Sequence, residues 1–487
     1  MLEYDSAARF RRQFEAETFL SMEENQNTSN PLNIYETGKI GRLLFRFAIP
    51  CVISMLVNSI YNIVDQIFIG HIAEVGYLCN AATTIVFPMV VIGTALALLI
   101  GDGAASYLSI NLGKQNFKDA KKGVGNAITC IFTAAALLTA VYFIFLPKLL
   151  GLFGMTEPVR PYALDYGSII AIGIPFMIFY TSLNSIIRAD GSPKYAMASM
   201  LTGAIFNIVA DPIFIFGFGL GIKGAALATI LGQFISFLIS ISYLRKFRSI
   251  VLSKRDLIPC RKIFKVLGYG VSSFITQMTI VVVMVFNNNL LRKYGVLSRF
   301  GAEIPLAVFG IVMKVNQIFI SVIVGIAVGA QPIIGYHYGA GKYEKVIAVF
   351  KRVVMINLTI GAIASCCFIL FPDKLISIFG NGDALYNEFA VMCFRTYLIL
   401  VILNSFQISA SIFFQSIGKP VKASICSISR QILLLVPAAI LLAFFFGIRG
   451  MLWSAPVADF MAFLLAMFLF ADERAKLKKM EKTVLPR

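Results

Sequence analysis

The strongest constraint on how this chain can fold is a series of continuous apolar stretches, many of them about twenty residues long or longer. A helix of about 20 apolar residues crosses the roughly 30 Å of a bilayer's hydrocarbon core. Charged residues make up only 14% of the chain, where about 25% is usual in water-soluble domains. A membrane β-barrel would show short alternating segments instead of continuous runs. The sequence therefore predicts an all-α polytopic membrane protein.

The apolar stretches predict twelve transmembrane helices. Their approximate limits are 45–70, 80–108, 122–147, 164–187, 196–217, 224–245, 265–291, 307–335, 347–370, 391–415, 424–445 and 449–470. If both termini lie on one side, the loops and termini of that side carry 32 Lys and Arg residues, and the opposite loops carry eight. Because short basic loops are retained in the cytoplasm, both termini are expected to be cytoplasmic. We expect a multi-pass protein of the cell's inner membrane.

The two halves of the chain resemble each other when the sequence is shifted along itself so that Gly103 aligns with Gly329. The same shift aligns the Gly-Ile-Lys-Gly motif at 221–224 with Gly-Ile-Arg-Gly at 447–450. Several such matches at one spacing indicate a tandem repeat of two six-helix bundles. Since six is even, the bundles are expected to be related by a pseudo-twofold axis along the membrane normal.

This duplication divides the chain into five predicted segments. They are a polar cytoplasmic segment at 1–44, an amino-terminal lobe at 45–245, a basic cytoplasmic linker at 246–264, a carboxyl-terminal lobe at 265–470 and a basic cytoplasmic tail at 471–487. Two similar bundles with a site between them can open to either face of the membrane in turn. The repeat therefore predicts alternating access around a central cavity.

The remaining composition argues against several classes of function. The net charge of +18 is spread over short clusters between apolar stretches, unlike the single basic face of a nucleic-acid-binding protein. The eight cysteines lack the spacing of metal ligands, and there are only two histidines, so no catalytic or metal centre is expected. We predict a transport protein without enzymatic activity or cofactor that functions as a monomer in the lipid bilayer.

Charged side chains inside the predicted helices need a partner or a function, because each costs of the order of 3 kcal/mol at mid-membrane. Away from helix ends they are Asp65, Asp102, Asp211, Lys314, Arg395, Arg430 and Asp459. We expect Arg395 and Arg430 to extend to the membrane surface. Asp102 is expected to cap a helix or to pair locally. Asp459 is expected to pair with either Lys314 or Arg430.

Asp65 has polar neighbours on its own helix. Asn58, Asn62 and Asp65 are spaced i, i+4 and i+7, which places them on one helical face. Tyr61 precedes Asp65 by four residues and supports the same face. These residues predict a polar surface that the first helix turns towards its own bundle.

The fifth helix repeats this arrangement with Asn207 and Asp211, which are four residues apart. Two carboxylates and several amides from two helices would form an oxygen-rich pocket for a hard monovalent cation, or for a proton shared between repelling carboxylates. The alternative is that these groups only join the two helices by hydrogen bonds. We favour the ion site, because amides alone would serve as such contacts. Apart from a sodium ion in this pocket, no metal is expected.

The second half is chemically different. Its seventh helix has Asn287 and Asn288 at the corresponding place, and neither this helix nor the eleventh contains an acid. Any coupling ion is therefore expected in the amino-terminal lobe. The possible residues of a central substrate cavity are Asn287, Asn288, Lys314, Asn404 and Gln407. Contacts between helices would explain the last three equally well.

Three parts of the sequence resemble one family of transporters. They are Ala48-Ile-Pro50 followed by Tyr61-Asn-Ile-Val-Asp65, Arg188-Ala-Asp-Gly191-Ser-Pro followed by Asn207-Ile-Val-Ala-Asp211-Pro, and Gly224-Ala-Ala-Leu-Ala-Thr229. The family is the multidrug and toxic compound extrusion (MATE) family. The resemblance covers about residues 40–470, including the number of helices and the duplication.

The resemblance implies two six-helix lobes around a cavity and the export of amphipathic, often cationic compounds, driven by inward flow of Na⁺ or H⁺. In members whose acids lie in the amino-terminal lobe, it implies a cation site formed by Asp65, Asn207, Asp211 and Thr229. A competing function is the flipping of a lipid-linked precursor, which related proteins perform with several basic residues in the cavity. A channel is a further alternative. The substrate and the choice between Na⁺ and H⁺ stay open.

Overall fold

The computed structural model describes Tyr35 and residues 39–72, 75–301, 303–377 and 384–484, and all regular structure in these ranges is helical. The amino-terminal half forms α1 Ile40–Gly70, α2 Gly76–Gly113, α3 Phe117–Leu152, α4 Arg160–Ala189, α5 Pro193–Pro212 and α6 Ile222–Ser242. The carboxyl-terminal half forms α7 Lys262–Val296, α8 Glu303–Gly339, α9 Tyr343–Leu370, α10 Pro372–Ser377, α11 Ala384–Tyr397, α12 Val401–Ser416, α13 Pro420–Ile428 and α14 Val436–Val484. Most of the polar segment predicted at 1–44 lies outside the described residues.

Twelve membrane crossings can be traced through the described helices. Ten helical stretches are long and apolar enough to span a membrane, and α11 and α12 together form an eleventh span, bent by 50°. The stretch Pro420–Lys482 counts once among the ten. Within it Gly447 adopts φ 61° and ψ −142°, and this break divides the stretch into two spans. The predicted all-α membrane fold is confirmed.

The predicted tenth helix at 391–415 is not continuous, because the chain bends between Tyr397 and Val401. This bend falls inside an apolar segment without glycine or proline, so the sequence pattern does not reveal it. Elsewhere the helices extend beyond the apolar stretches. The side chain of Asn116 caps α3 by accepting a hydrogen bond from the Asp119 N–H, and α14 continues to Val484 through most of the predicted tail.

The linker between the halves lies against α3. Lys122 Nζ donates to the carbonyl oxygen of Arg255 at 2.6 Å, and the Cys260 N–H donates to Asn126 Oδ1 at 2.6 Å. Inside the linker, the backbone N–H of Ser253 donates to the carboxylate of Asp256 and holds the pKa of that carboxyl group below its usual range. The linker is therefore held to the amino-terminal lobe by specific hydrogen bonds.

The repeat seen in the sequence recurs in the backbone. Gly221 and Gly447, which the shift of Gly103 onto Gly329 aligns, both adopt positive φ angles, of 55° and 61°. Gln115 and Gly341, which the same shift aligns, have φ angles of 57° and 70°. A positive φ is uncommon outside glycine, so its recurrence at Gln115 indicates that the two lobes share one backbone path.

The two lobes meet through α1 and α2 on one side and α7 and α8 on the other. A Cβ atom on Gly113 would lie 2.0 Å from the Tyr336 carbonyl oxygen, and a Cβ atom on Gly339 would lie 2.0 Å from that of Ile110. The two contacts are equivalent under the shift that aligns the halves, as a pseudo-twofold axis requires. Only glycine allows the α2 and α8 backbones to come this close.

These contacts close the junction between the lobes at one end only. Every residue of α2 from Ile100 to Gly113 is buried, whereas buried and accessible residues alternate in the first half of that helix. At the same end Gly329 of α8 packs on Ala48, near the start of α1. We call this end of the molecule, where α1 begins and where α2 and α8 end, the closed end. The opposite end is the open end.

Candidate functional site

The structure brings the acids of α1 and α5 together. The carboxyl groups of Asp65 and Asp211 lie within hydrogen-bonding distance of each other, and the side chain of Asp211 is buried. Asn207 Nδ2 donates to Asp211 Oδ1 at 3.2 Å and lies 3.4 Å from Thr229 Oγ1. The four residues that the family resemblance implies for a cation site thus meet within the amino-terminal lobe.

A close approach of α5 and α6 explains how these side chains meet. A Cβ atom on Gly203 would lie 2.4 Å from the Gly232 carbonyl oxygen, and one on Gly232 would lie 2.7 Å from that of Gly203. Two facing glycines therefore let the backbones of α5 and α6 touch. Asn207 and Asp211 follow Gly203 at one and two helical turns on the same face of α5, and this face carries Asn207 to Thr229 on α6.

Three oxygens of this site are buried without a hydrogen-bond donor among the described residues. They are Asp65 Oδ1, Asn207 Oδ1 and Asp211 Oδ2. Burying an acceptor without a donor costs free energy, and two adjacent carboxylates repel each other. A proton on one carboxyl group, or a cation bound by these oxygens, would relieve both costs. The carboxylate, amide and hydroxyl oxygens fit a hard cation such as Na⁺.

A small cavity of about 30 Å³ lies next to these groups inside the amino-terminal lobe. Asn58 and Tyr61 of α1 line it together with Asn207 and Thr229. Two of the supporting residues predicted on α1 therefore lie where the sequence analysis expected them. The cavity is enclosed by α1, α4, α5 and α6, and so lies within one lobe instead of between the two.

Two tyrosines of α4 complete the surroundings of the acids and were missed in the sequence analysis. Tyr180 lines the cavity, and Tyr166 lies close to both Asp65 and Asp211. The only signal in the sequence is that 166 and 180 are four helical turns apart and so share a face of α4. In an apolar helix rich in aromatic residues this spacing is not distinctive.

Asn62, which was predicted to support the site, does not line this cavity. Its side chain is exposed, and its Nδ2 donates to the backbone oxygen of Asn58 at 2.6 Å. At about 100° per residue, Asp65 lies about 20° to one side of Asn58 around the helix axis and Asn62 lies about 40° to the other. The cavity lies on the side of Asp65 and Tyr61. Asn62 lies on the other side of Asn58 and therefore faces away from the cavity.

The predicted cavity residues of the second half are found in different surroundings. Gln407 Nε2 donates to the carbonyl oxygen of Cys426 at 2.6 Å, so this residue joins α12 to α13, as the alternative of a contact between helices predicts. Asn404 is buried, and neither atom of its amide has a partner among the described residues. Asn404 is therefore a buried amide of the carboxyl-terminal lobe whose donor and acceptor have no hydrogen-bond partner among the described residues.

The two asparagines of α7 differ from each other. Asn287 is buried, with its amide within hydrogen-bonding distance of the Tyr397 hydroxyl group. Asn288, one residue on, is exposed. Lys314 of α8 is half-buried and has no carboxylate partner within the described ranges.

Asp102 connects the lobes, whereas only local pairing was expected. Its Oδ1 accepts a hydrogen bond from the Ser185 hydroxyl of the same lobe at 2.7 Å. Its Oδ2 accepts one from the Ser273 hydroxyl of α7 at 2.7 Å, across the closed end of the junction. Gln415 Nε2 in turn donates to Ser273 Oγ at 2.8 Å. The contact with α7 could not be foreseen, because it depends on the packing of α2 against α7.

The other charged residues form contacts within the carboxyl-terminal lobe. Arg430 Nε donates to Asp459 Oδ1 at 2.6 Å, which confirms one of the two pairings expected for Asp459. The expectation that Arg430 extends to the membrane surface is wrong, because its side chain is only 18% exposed and turns to the buried acid. Arg395 is exposed and donates to the carbonyl oxygen of Ile369 at 3.1 Å.

A family model described as MatE matches residues 50–213 and 294–441, well over half of the chain. The chain belongs to the MatE family. This MatE-family protein is 26% identical over 446 residues to the Multidrug export protein MepA of Staphylococcus aureus (strain N315), with 90% of this chain and 95% of that protein covered.

Solved structures of MATE transporters share the fold of this MatE-family protein. One is an outward-facing conformation of a multidrug resistance MATE family transporter of the MOP superfamily, with a TM-score of 0.85 and 24% identity over 92% of this chain and 98% of that one. Another is MATE in the straight conformation, with a TM-score of 0.85 and 25% identity over 92% of this chain and 99% of that one. The resemblance drawn from the sequence is confirmed, and the protein is a membrane transporter of this family, not an enzyme.

Proposed function

We propose that this MatE-family protein is a cation-coupled antiporter that exports amphipathic, often cationic compounds by alternating access. The observation that carries the proposal is the adjacency of Asp65 and Asp211, whose buried oxygens lack donors in the described part of the chain. Two carboxyl groups at membrane depth are costly to retain unless they bind an ion. The name of the Staphylococcus aureus relative, a multidrug export protein, supports the class of exported compound.

The distribution of basic residues supports an orientation for this state. The loops and termini at the closed end belong to the side that carries 32 Lys and Arg residues, and such loops are retained in the cytoplasm. We therefore infer that both termini are cytoplasmic and that the cleft between the lobes opens to the outside of the cell's inner membrane. Such an outward-open state would release the exported compound and take up the coupling ion.

The carboxyl pair offers a simple coupling mechanism. Binding of a proton or a cation would neutralise the repulsion between Asp65 and Asp211 and allow α1 and α5 to move closer. Pro50 lacks a backbone N–H, so it gives α1 a place to bend, while in this state α1 is one continuous helix from Ile40 to Gly70. If compound and ion favour opposite positions of α1, each weakens binding of the other. A dye should then bind more weakly as pH falls or as the Na⁺ concentration rises.

The proposal is tested with purified protein in proteoliposomes loaded with ethidium. Inward gradients of Na⁺ and of protons are imposed separately, and efflux is followed by fluorescence. Efflux that requires at least one gradient and stops when an ionophore dissipates it is expected. Rapid ethidium flux that needs no gradient would indicate a channel and contradict the proposal.

Flipping of a lipid-linked precursor is the alternative, and Lys314 is the observation that favours it. A fluorescent anionic lipid in the same proteoliposomes tests this function. Translocation of the lipid between leaflets, with no ion-driven efflux of ethidium, would replace export by flipping.

A further inference from the structure

One face of α8 forms the contact with α1 across the junction between the lobes. The hydroxyl groups of Ser321 and Ser59 are 2.6 Å apart. A Cβ atom on Gly325 would lie 2.7 Å from the Cα atom of Val52. These positions define the direction in which α8 faces the amino-terminal lobe.

Lys314 lies on this same face, closer to the open end. At about 100° per residue, it is only about 20° from Ser321 and about 20° from Gly325 around the axis of α8. Gly310 precedes Lys314 by one turn, and a Cβ atom there would find no other atom within 4 Å. The face that touches α1 at Gly325 therefore borders empty space at Gly310. Lys314 is placed between these levels, where the cleft between the lobes begins to widen.

The wall of the cleft opposite Lys314 is polar and uncharged. α1 runs antiparallel to α8, since Val52 meets Gly325 and Ser59 meets Ser321. Continuing this register brings Asn62 and Gln66, both exposed, to the level of Lys314. Asp65 lies at the same level, but its carboxyl group is turned into the amino-terminal lobe towards Asp211. No carboxylate in the described residues pairs with Lys314.

The position of Lys314 also argues against a purely interfacial role. It lies seven residues inside the predicted span at 307–335, which is about 10 Å along the helix axis, where half of a hydrocarbon core is about 15 Å. A lysine side chain near a helix end can reach the membrane surface, but one this far along the helix is held at depth. A half-buried ammonium group without a counter-charge attracts an anion strongly, because the surroundings screen it less than water does.

We propose that Lys314 is an anion-recognition point in the cleft, so that the preferred export substrates are amphiphiles that carry an acidic group, such as zwitterionic compounds. The inference rests on the proposed export function and specifies its substrate class. An acidic group of the compound pairs with the Lys314 ammonium group, and the amides of Asn62 and Gln66 offer hydrogen bonds from the opposite wall. An anionic lipid headgroup has the same chemistry, and the experiment separates the two sources.

The test uses equilibrium binding at one fixed pH and Na⁺ concentration, which needs no ion gradient. Purified protein in nanodiscs of phosphatidylcholine is titrated with a rhodamine that carries a free carboxylate, and separately with the methyl ester of the same dye. We expect wild type to bind the carboxylate dye about tenfold more tightly than the ester, as a charge-assisted hydrogen bond would produce. Lys314→Gln should lose this preference with little change for the ester, and Lys314→Arg should keep most of it.

Lys223→Gln is the matched control, because Lys223 lies in the first turn of α6, where it pairs with Asp165 at 3.2 Å, with about half of each side chain exposed. It should leave the preference unchanged. Equal binding of both dyes to wild type, or a preference that survives in Lys314→Gln, would overturn the proposal. So would displacement of the carboxylate dye, but not of the ester, by phosphatidylglycerol in wild type and in Lys314→Arg, which would assign the point to a lipid headgroup. Failure of ion-driven ethidium efflux would refute the export function alone, since dye binding is measured without a gradient.

Discussion

In the amino-terminal lobe Asp65 and Asp211 bring two like charges together, whereas in the carboxyl-terminal lobe Arg430 and Asp459 bring opposite charges together. The acids of the first lobe are surrounded by the tyrosines of α4, and the ion pair of the second lies beside Tyr397. The second lobe thus contains its own cation. Under the proposed function, the first lobe takes its cation from solution.

The repeat places the ion pair where the first lobe has its cavity. Under the shift that aligns the two halves, Asp459 corresponds to Gln233, and Arg430 corresponds to Ala204. Both Gln233 and Ala204 line the cavity of the amino-terminal lobe. The guanidinium group of Arg430 therefore lies in the region that corresponds to this cavity. Under the proposed function, the same backbone fold holds an ion site in one lobe and an internal ion pair in the other.

The largest effect is expected from Asp65→Asn, which makes the first lobe as independent of solution cations as the second. The amide preserves size and removes the titratable charge, so ion-driven ethidium efflux should fall to background while the protein still inserts into the membrane. Asp211→Asn should be nearly as damaging. Asp165→Asn is the control, because Asp165 is exposed and outside the site. Full drug resistance of cells that carry Asp65→Asn at normal expression would break the comparison.

In the second lobe, removal of one charge of the ion pair should lower the stability of the protein. Arg430→Gln leaves Asp459 buried without its partner, and breaking a buried ion pair in this way costs about 3–5 kcal/mol. The midpoint of thermal unfolding in detergent should fall clearly. The double change Arg430→Gln with Asp459→Asn should recover most of the loss, because no charge then stays buried. An Arg430→Gln variant that is as stable as wild type would show that the ion pair does not neutralise this lobe.

Neutral ligands of the first lobe should have a smaller effect. Asn207→Ala and Thr229→Ala remove coordinating groups without changing charge, so we expect the ion concentration for half-maximal efflux to rise several-fold with a smaller loss of maximal rate. Thr202→Ala is a matched control on α5, since the Thr202 hydroxyl is exposed and bonds its own helix at Ala198. Unchanged ion dependence in both site variants would remove these residues from the ion site.

The smallest change in ion dependence is expected in α7. Asn287→Ala and Asn288→Ala remove amides from a helix without an acid, so they should alter the range of exported dyes more than the response to Na⁺ or protons. Efflux of several dyes is compared at varied ion concentrations. A tenfold shift in ion dependence for either variant would place part of the coupling site in the second lobe.

Much of this molecule is determined by local sequence. The length of the apolar stretches determines the crossings, and the recurrence of Gly103 at Gly329 reveals the duplication. Asn207 and Asp211 are neighbours in any helix, because four residues make about one turn. These two residues could therefore be predicted to act as a pair from their spacing alone. The resemblance to MATE proteins added Thr229, which no spacing within the chain indicates.

Tertiary packing decided which side chains face each other across helices. The contact of Asp65 with Asp211, the contact of Asp102 with Ser273 and the choice of Arg430 as partner of Asp459 depend on how helices cross. A helical repeat gives the direction of each side chain around its own axis only. The distance and rotation between two axes follow from close approaches of small residues that are far apart in sequence, such as Gly113 to Tyr336. For the same reason, only the structure showed that Asn62 does not line the cavity of the amino-terminal lobe and that Lys314 borders the cleft.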